Sequence, residues 1–317
     1  MIKKNIIKIG IALVLLITFT KTGFAASPNT NLLTVEPAYQ DVVLNYFEKQ
    51  KQLTYTITNN TTKKVILKAY AVDVKQNDFT GSIEFIQKDA NNPYSLVTYL
   101  EVVDPDFELM PKEKYSLVVN VKNDDNLSPG GHYGAVLIQV SSPSEANPVV
   151  LPSLAVQIFL RKEGGDKPGL LLESVGWPNR LVWDIPASIS LRFANIGNIH
   201  LTPYGRIEIR DQFSRLTYVG IVNESSLVIF PKTKRDIIAT FRQTSWLLPF
   251  SLNVITIQGD ELLHKVNYSY QRRFVYINLY AALALMAIII FAVIKRKLLV
   301  SKAREIMQVL KPKRVTR

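Results

Sequence analysis

Between residues 50 and 260, stretch after stretch of this chain alternates apolar and polar side chains. In "LTYTITN", Leu53, Tyr55 and Ile57 would face a core while Thr54, Thr56 and Thr58 face water. "SISLRFAN" sets Ile189, Leu191 and Phe193 against Ser188, Ser190 and Arg192, and "SLAVQIFL" aligns Leu154, Val156, Ile158 and Leu160 on one face. A period of two fits a half-buried strand and excludes an amphipathic helix. Proline and Asn/Asp/Gly clusters break the pattern every 8–15 residues, the spacing of an antiparallel sandwich.

The two ends read differently. Lys3, Lys4 and Lys8 precede an apolar run and then "TKTGFAAS", a signal-peptide pattern that predicts a leader over residues 1–25. "FVYINLYAALALMAIIIFAVI" carries no charge from Phe274 to Ile294 and predicts a spanning helix over 274–294. At about 1.5 Å per residue it covers roughly 30 Å, the thickness of a bilayer's hydrocarbon. The tail, 295–317, holds nine Lys/Arg against Glu305, which marks a cytoplasmic side. The expected protein sits in a cell membrane, single-pass, with its sandwiches outside.

The net charge of +12 lies in these ends: four Lys up to Ala26 and a net +8 after Ile294 leave the exported part neutral. The basic balance therefore serves targeting and topology and gives no reason to expect nucleic acid. With no cysteine, the exterior depends on its own core and is long enough for two domains. A Cys-free exterior on one anchor suits a bacterial envelope, where sequons such as Asn59-Asn60-Thr61 are chance.

An internal repeat divides the exterior. "LMPKEKYSLVVNV" from Leu109 returns as "IFPKTKRDIIATF" from Ile229, so Pro111, Lys112 and Lys114 recur as Pro231, Lys232 and Lys234. Pro129 and Pro249 keep the same offset of 120, whereas Asn59 and Asn195, each closing a strand, are 136 apart. About 16 extra residues therefore lie in the first module, with Val74–Ser95 the natural insertion. The expected order is a first sandwich over 26–162, a linker over 163–169 within "RKEGGDKPG", and a second sandwich over 170–271.

Little chemistry stands out. "LSPGGHYGAVLIQVSS" resembles a ligand loop, but a phosphate cradle would open a helix and here a strand follows. Pro129-Gly130-Gly131 reads as a turn, with Tyr133, Ala135 and Leu137 on one strand face and Val136, Ile138 and Val140 on the other. His132, His200 and His264 lie far apart, with no metal spacing, and read as surface or edge histidines. Asp73, Asp78, Asp124 and Asp125 match no calcium loop and read as solvated turns. Asp104 and Asp106 are split by Pro105, and no GxSxG occurs. Trp177, Trp183 and Trp246 read as core or edge residues, with Trp177 beside Pro178 the one to test against a sugar. Trp246-Leu247-Leu248 spells W-x-L, a triplet expected by chance. No catalytic, cofactor or metal residue is assigned, and binding residues stay unknown.

"LTVEPAYQDVVLNYFEKQKQLTYTITNNTTKKVILKAYAVD", followed by "DPDFELMPKEKYSLVVNVKNDDNLSPGGHYGAVLI", resembles the N-terminal domain of the WxL-interacting protein family of bacterial surface proteins. The shared features are an early Pro, a strand ending in Asn, a Pro-led strand and a Gly-Gly turn before the last hairpin. The resemblance implies an immunoglobulin-like first domain implicated in peptidoglycan binding. It also implies a second domain that contacts surface partners, including WxL-domain proteins and host ligands.

The sequence thus predicts an all-β exterior of two tandem immunoglobulin-like sandwiches followed by one transmembrane α-helix. Its expected role is non-enzymatic: binding peptidoglycan or another cell-wall polymer, envelope proteins, or both, with no cofactor and no nucleic acid. The alternative is a structural or chaperone-like assembly subunit lending a strand edge to a neighbour, and third a wall-modifying enzyme using Asp104 or Asp106. The loop from Lys75 to Pro93, the main asymmetry between the modules, is the first candidate for specificity.

Overall fold

The computed structural model describes residues 32–89, 91–141, 153–261 and 263–309; the expected leader and the last eight residues of the tail lie outside them. The first sandwich comprises β1 (Leu33–Glu36), β2 (Tyr39–Leu44), β3 (Gln50–Asn59), β4 (Val65–Gln76), β5 (Ile83–Ile86), β6 (Leu100–Val102), β7 (Asp106–Leu109), β8 (Lys114–Lys122), β9 (Gly130–Val140) and β10 (Ser153–Lys162). One sheet runs β1-β3-β8-β6 and the facing sheet β2-β10-β9-β4-β5, with β7 also on β4. β1 lies antiparallel to β3, but β2 lies parallel to β10. The first segment therefore crosses from one sheet to the other.

The second sandwich repeats this plan with β11 (Leu170–Val175), β12 (Leu181–Val182), β13 (Ser188–Asn195), β14 (Pro203–Asp211), β15 (Leu216–Val222), β16 (Lys234–Gln243), β17 (Phe250–Glu261) and β18 (Tyr268–Ile277). Its strands follow the order β11-β13-β16-β15-β14-β17-β18-β12. β11 is again antiparallel to the next strand of its layer, and β12 is again parallel to the last strand of the domain.

Alternation in sequence becomes alternation in burial. Leu53, Tyr55 and Ile57 join Val136, Ile138, Val156, Ile158 and Leu160 in the first core. Ile189, Leu191 and Phe193 join Ile207, Ile209, Ile255 and Ile257 in the second. Each such side chain contributes about 1.5–3 kcal/mol on leaving water, which explains how a chain without disulfides holds two cores.

The repeat extends to individual bonds at one corner of each sandwich. Asn59 ends β3 and Asn195 ends β13, both fully buried. Asn59 Nδ2 donates to the carbonyls of Lys63 (2.9 Å) and Leu109 (3.1 Å); Asn195 Nδ2 donates to those of Ile199 (2.7 Å) and Ile229 (2.9 Å). Lys112 and Lys232, both at positive φ, donate their backbone N–H to the carbonyls of Asn59 and Asn195. Their ammonium groups reach the next carbonyls, of Asn60 and Ile196. A buried amide that satisfies carbonyls from two chain segments pins the corner. β8 and β16 then both begin at the repeated lysine, and β9 and β17 both follow the repeated proline.

α1 (Leu279–Val309) follows β18 after Asn278 alone. Its window Leu279–Arg296 has a mean hydropathy of 2.1, long and apolar enough to cross a membrane. Phe274–Ile277, which hydropathy assigns to the start of the spanning helix, belong to β18 and pair with Phe250–Asn253. An apolar run satisfies strand and helix alike, and the cross-strand partners that decide between them are distant in sequence. The second sandwich therefore extends to Ile277 and the apolar helix starts at Leu279. Asn278 caps it, its Oδ1 accepting the N–H of Ala281 at 3.0 Å.

Candidate binding surfaces at the domain junction

β9 is apolar on both faces, and each face meets a different neighbour. Val136 and Ile138 point into the first core, while Tyr133 and Ala135 join Val72, Val74 and Phe159 in a separate cluster capped by Phe230 of the second sandwich. The rings of Tyr133 and Phe230 stack with centroids 4.1 Å apart, and Phe159 meets Phe230 edge-on at 5.2 Å. Burial pushes the Tyr133 phenol well above its ordinary pKa. Its hydroxyl lies 3.2 Å from His200 Nδ1, and His200 Nε2 lies 3.1 Å from Asp41 Oδ2. This chain locks the modules together. It presents no activated nucleophile.

The stretch around Gly130-Gly131 is a turn with a second task. Gly130 takes a φ of +118°, and a Cβ there would come within 2.7 Å of Asn198 Nδ2. Gly131 donates its N–H to the Asn198 carbonyl at 2.9 Å. Asn198 also binds the linker, its Nδ2 donating to Gly165 O (2.8 Å) and its Oδ1 accepting the N–H of Lys167 (2.6 Å). The glycines thus let the second sandwich approach the backbone of the first.

The insertion supplies the other half of the junction. Gln76 Oε1 accepts the Phe230 N–H at 2.9 Å and its Nε2 donates to the Val228 carbonyl at 3.1 Å. Asp78 Oδ1 accepts the Lys234 N–H at 2.9 Å, and Phe79 exchanges backbone bonds with Lys234 and Asp236 at the edge of β16. Arg192, paired with Asp236 at 2.7 and 2.9 Å, sits 4.5 Å over the Phe79 ring. That pairing holds the Asp236 carboxyl below its ordinary pKa. Asp73, fully buried, accepts from Ser95 Oγ (2.6 Å) and the Asp89 N–H (2.8 Å) and so fixes the base of the insertion.

Several sequence expectations change accordingly. Asp73 is a buried structural acceptor rather than a solvated turn residue, whereas Asp78, Asp124 and Asp125 do lie in exposed turns, Asp78 with its carboxylate on the Lys234 amide. His132 is buried, Nε2 2.7 Å from Ser128 O, and burial lowers its pKa. His200 and His264 line one cleft with Asp41, Arg161 and Glu261, about 360 Å³ in volume. His264 Nδ1 lies 2.9 Å from Glu261 and its Nε2 3.1 Å from Arg161 Nη1. Burial on a strand or at an interface that forms only on folding explains all these departures. Among the described residues no group of three or more His, Asp or Glu is placed to hold a metal ion.

The Lys75–Pro93 loop divides in two: its first part is consumed by the docking at Asp78 and Phe79, and Asp89, Asn92 and Pro93 line a second cleft of about 380 Å³ facing Phe230 and Lys232. Trp177 is buried against Phe274 at 4.9 Å and offers no face to a sugar. Trp183 and Trp246 are exposed, as are the neighbouring aromatic rings Tyr46 and Phe47 on the β2–β3 turn, centroids 5.5 Å apart.

β10 offers one more surface. Gln157–Lys162 pair with β2, but among the described residues Ser153–Val156 pair with β9 alone. Gln157 donates its N–H to Ala38 O on the β2 side at 3.0 Å. The N–H groups of Ala155 and Ser153, two and four residues earlier, point the same way. They form a short open ladder.

No protein-family model and no curated protein matches the chain. Among solved structures it is similar to a chaperone in complex with the tip adhesin of CFA/I fimbriae, at 11% identity and a TM-score of 0.42, covering 76% of this chain and 98% of that one. It is also similar to the Escherichia coli chaperone DraB (11%, TM-score 0.35, 77% and 94%) and the Pseudomonas aeruginosa chaperone CupB2 (11%, TM-score 0.35, 74% and 97%).

Proposed function

We propose that this chain is a membrane-tethered envelope protein that binds and does not catalyse, holding another envelope protein by taking one of its strands onto the open half of β10. The sandwiches stand outside the cell, and the Lys/Arg-rich end of α1 lies in the cytoplasm. The observation that carries this reading is the half-paired β10, whose outward N–H groups at Ser153 and Ala155 have the spacing that strand addition uses. The rigid junction supports it, because a fixed scaffold holds such an edge at constant height over the membrane. WxL-domain proteins are one class of partner on this reading. A photo-crosslinking residue at Ser153, in the full chain in its own envelope, is expected to capture one stoichiometric protein. Ala155→Pro deletes an outward donor without touching the ladder to β9 and is expected to abolish capture. Capture undiminished by that change would refute strand addition.

A second reading, wall-polymer binding of the kind the family resemblance implies, is favoured by the Tyr46–Phe47 pair, 73% and 93% exposed. Rings so placed have no packing role and suit stacking on sugars. Sedimentation of the full chain with purified peptidoglycan, lost on changing both rings to alanine, would support it. Co-sedimentation unaffected by that change would remove it.

A further inference from the structure

We infer that the end of the second sandwich next to α1 is itself a membrane-contact surface, an aromatic foot resting in the headgroup layer of the outer face. The inference rests on the reading that α1 crosses a bilayer and deepens it. Asn278 is the only residue between β18 and α1, and its N–H donates to Pro249 O at 2.8 Å. No linker lifts the domain off the surface.

Four exposed aromatic residues from separate segments gather at that end. Phe250 pairs with Ile277, the last residue of β18. Trp183 follows Val182, which lies parallel to Tyr276, and so reaches the level of Ile277. Phe213 tips the β14–β15 turn, whose Gln212 Oε1 accepts the Leu252 N–H at 3.1 Å, and Leu252 pairs with Val275. Trp246 lies in the β16–β17 loop with the Arg215 guanidinium 5.6 Å over its ring, which ties that loop to the Phe213 turn. At about 3.3 Å per strand residue, Phe250, Trp183 and the Leu252 anchor of the Phe213 turn lie, along the strand direction, within roughly 10 Å of the level of the helix start.

Their exposures, 67% for Phe213, 63% for Trp246, 50% for Trp183 and 46% for Phe250, would be a liability in water. They are favourable at a bilayer interface, where amphipathic rings concentrate. A groove of about 1020 Å³ opens beside them, lined by Arg180, Arg272 and Arg273. Such guanidinium groups complement lipid phosphates. Trp177 is buried in the same domain and is an internal control.

The full chain, reconstituted in vesicles of zwitterionic lipid with a minority of anionic lipid, tests this when part of the lipid is brominated near the headgroup. Trp183 and Trp246 emission is expected to be quenched, and the Trp183→Phe/Trp246→Phe double variant is expected to lose that quenching while keeping Trp177 emission. A chain that resists alkaline washing yet shows no quenching overturns the foot and leaves the spanning helix standing. Quenching unchanged in the double variant also overturns it. A chain stripped by the wash overturns the spanning helix and the foot together.

Discussion

At Asn59 and at Asn195 the two sandwiches turn the same corner with matching amide-to-carbonyl bonds, yet at an offset of 120 residues they put one position to opposite uses. His132, the third residue of β9, is buried beside the junction, and its counterpart Leu252 in β17 is exposed at the membrane end. The first sandwich carries the insertion and spends it on the second; the second carries the helix and the aromatic foot. A duplicated scaffold kept its corners, where a buried amide leaves no slack, and diverged at sheet ends and strand edges, where side chains meet something other than their own core.

That contrast can be broken at several points. Phe230→Ala removes the ring that caps the Tyr133–Phe159 cluster and is expected to cost about 3–5 kcal/mol, splitting thermal unfolding of the detergent-solubilised chain into two transitions. One cooperative transition would mean that the junction is held elsewhere. Asn59→Ala and Asn195→Ala each strand carbonyls that a buried amide satisfied, at about 2–3 kcal/mol apiece. Equal losses in denaturant titrations are expected, and a large inequality would end the equivalence of the corners. Asp78→Ala loses one interdomain acceptor, about 1 kcal/mol, and is expected to speed hydrogen exchange at the Lys234 amide while leaving the Asn195 corner protected.

The smallest effect is one of pH. Burial, the largest cause, holds the His132 pKa below the ordinary histidine value. Protonation therefore favours the unfolded chain, and the stability at stake is fully present above about pH 6.5 and falls as the pH drops through the lowered pKa. His132→Asn is expected to flatten that slope for the first sandwich, whose unfolding midpoint at pH 5 and 7 gives the readout. A slope that survives the change would assign it to another group.

The strands were legible because their signal is local: side chains two apart declare one face, as Leu53, Tyr55 and Ile57 do. The repeat was legible because Pro-x-Lys and the strand-ending Asn mark corners that need those residues. The junction was not, since Gln76 meets Phe230 across 154 positions and Asp78 meets Lys234 across 156. One clue lay in β9, where apolar residues on both faces imply a strand covered twice. The helix start was misplaced by hydropathy because Phe274–Ile277 satisfy strand and helix alike. The open ladder of β10 depends on where β2 stops pairing, which no local pattern records.

The central claim is that two like sandwiches move as one body. The chain has no cysteine, so Lys63→Cys and Glu224→Cys place one spin label on each exposed side. Pulsed dipolar distance measurement on the membrane-reconstituted chain should give a single narrow distribution that broadens in Phe230→Ala. A broad distribution in the unaltered background, spanning tens of ångströms, would contradict it.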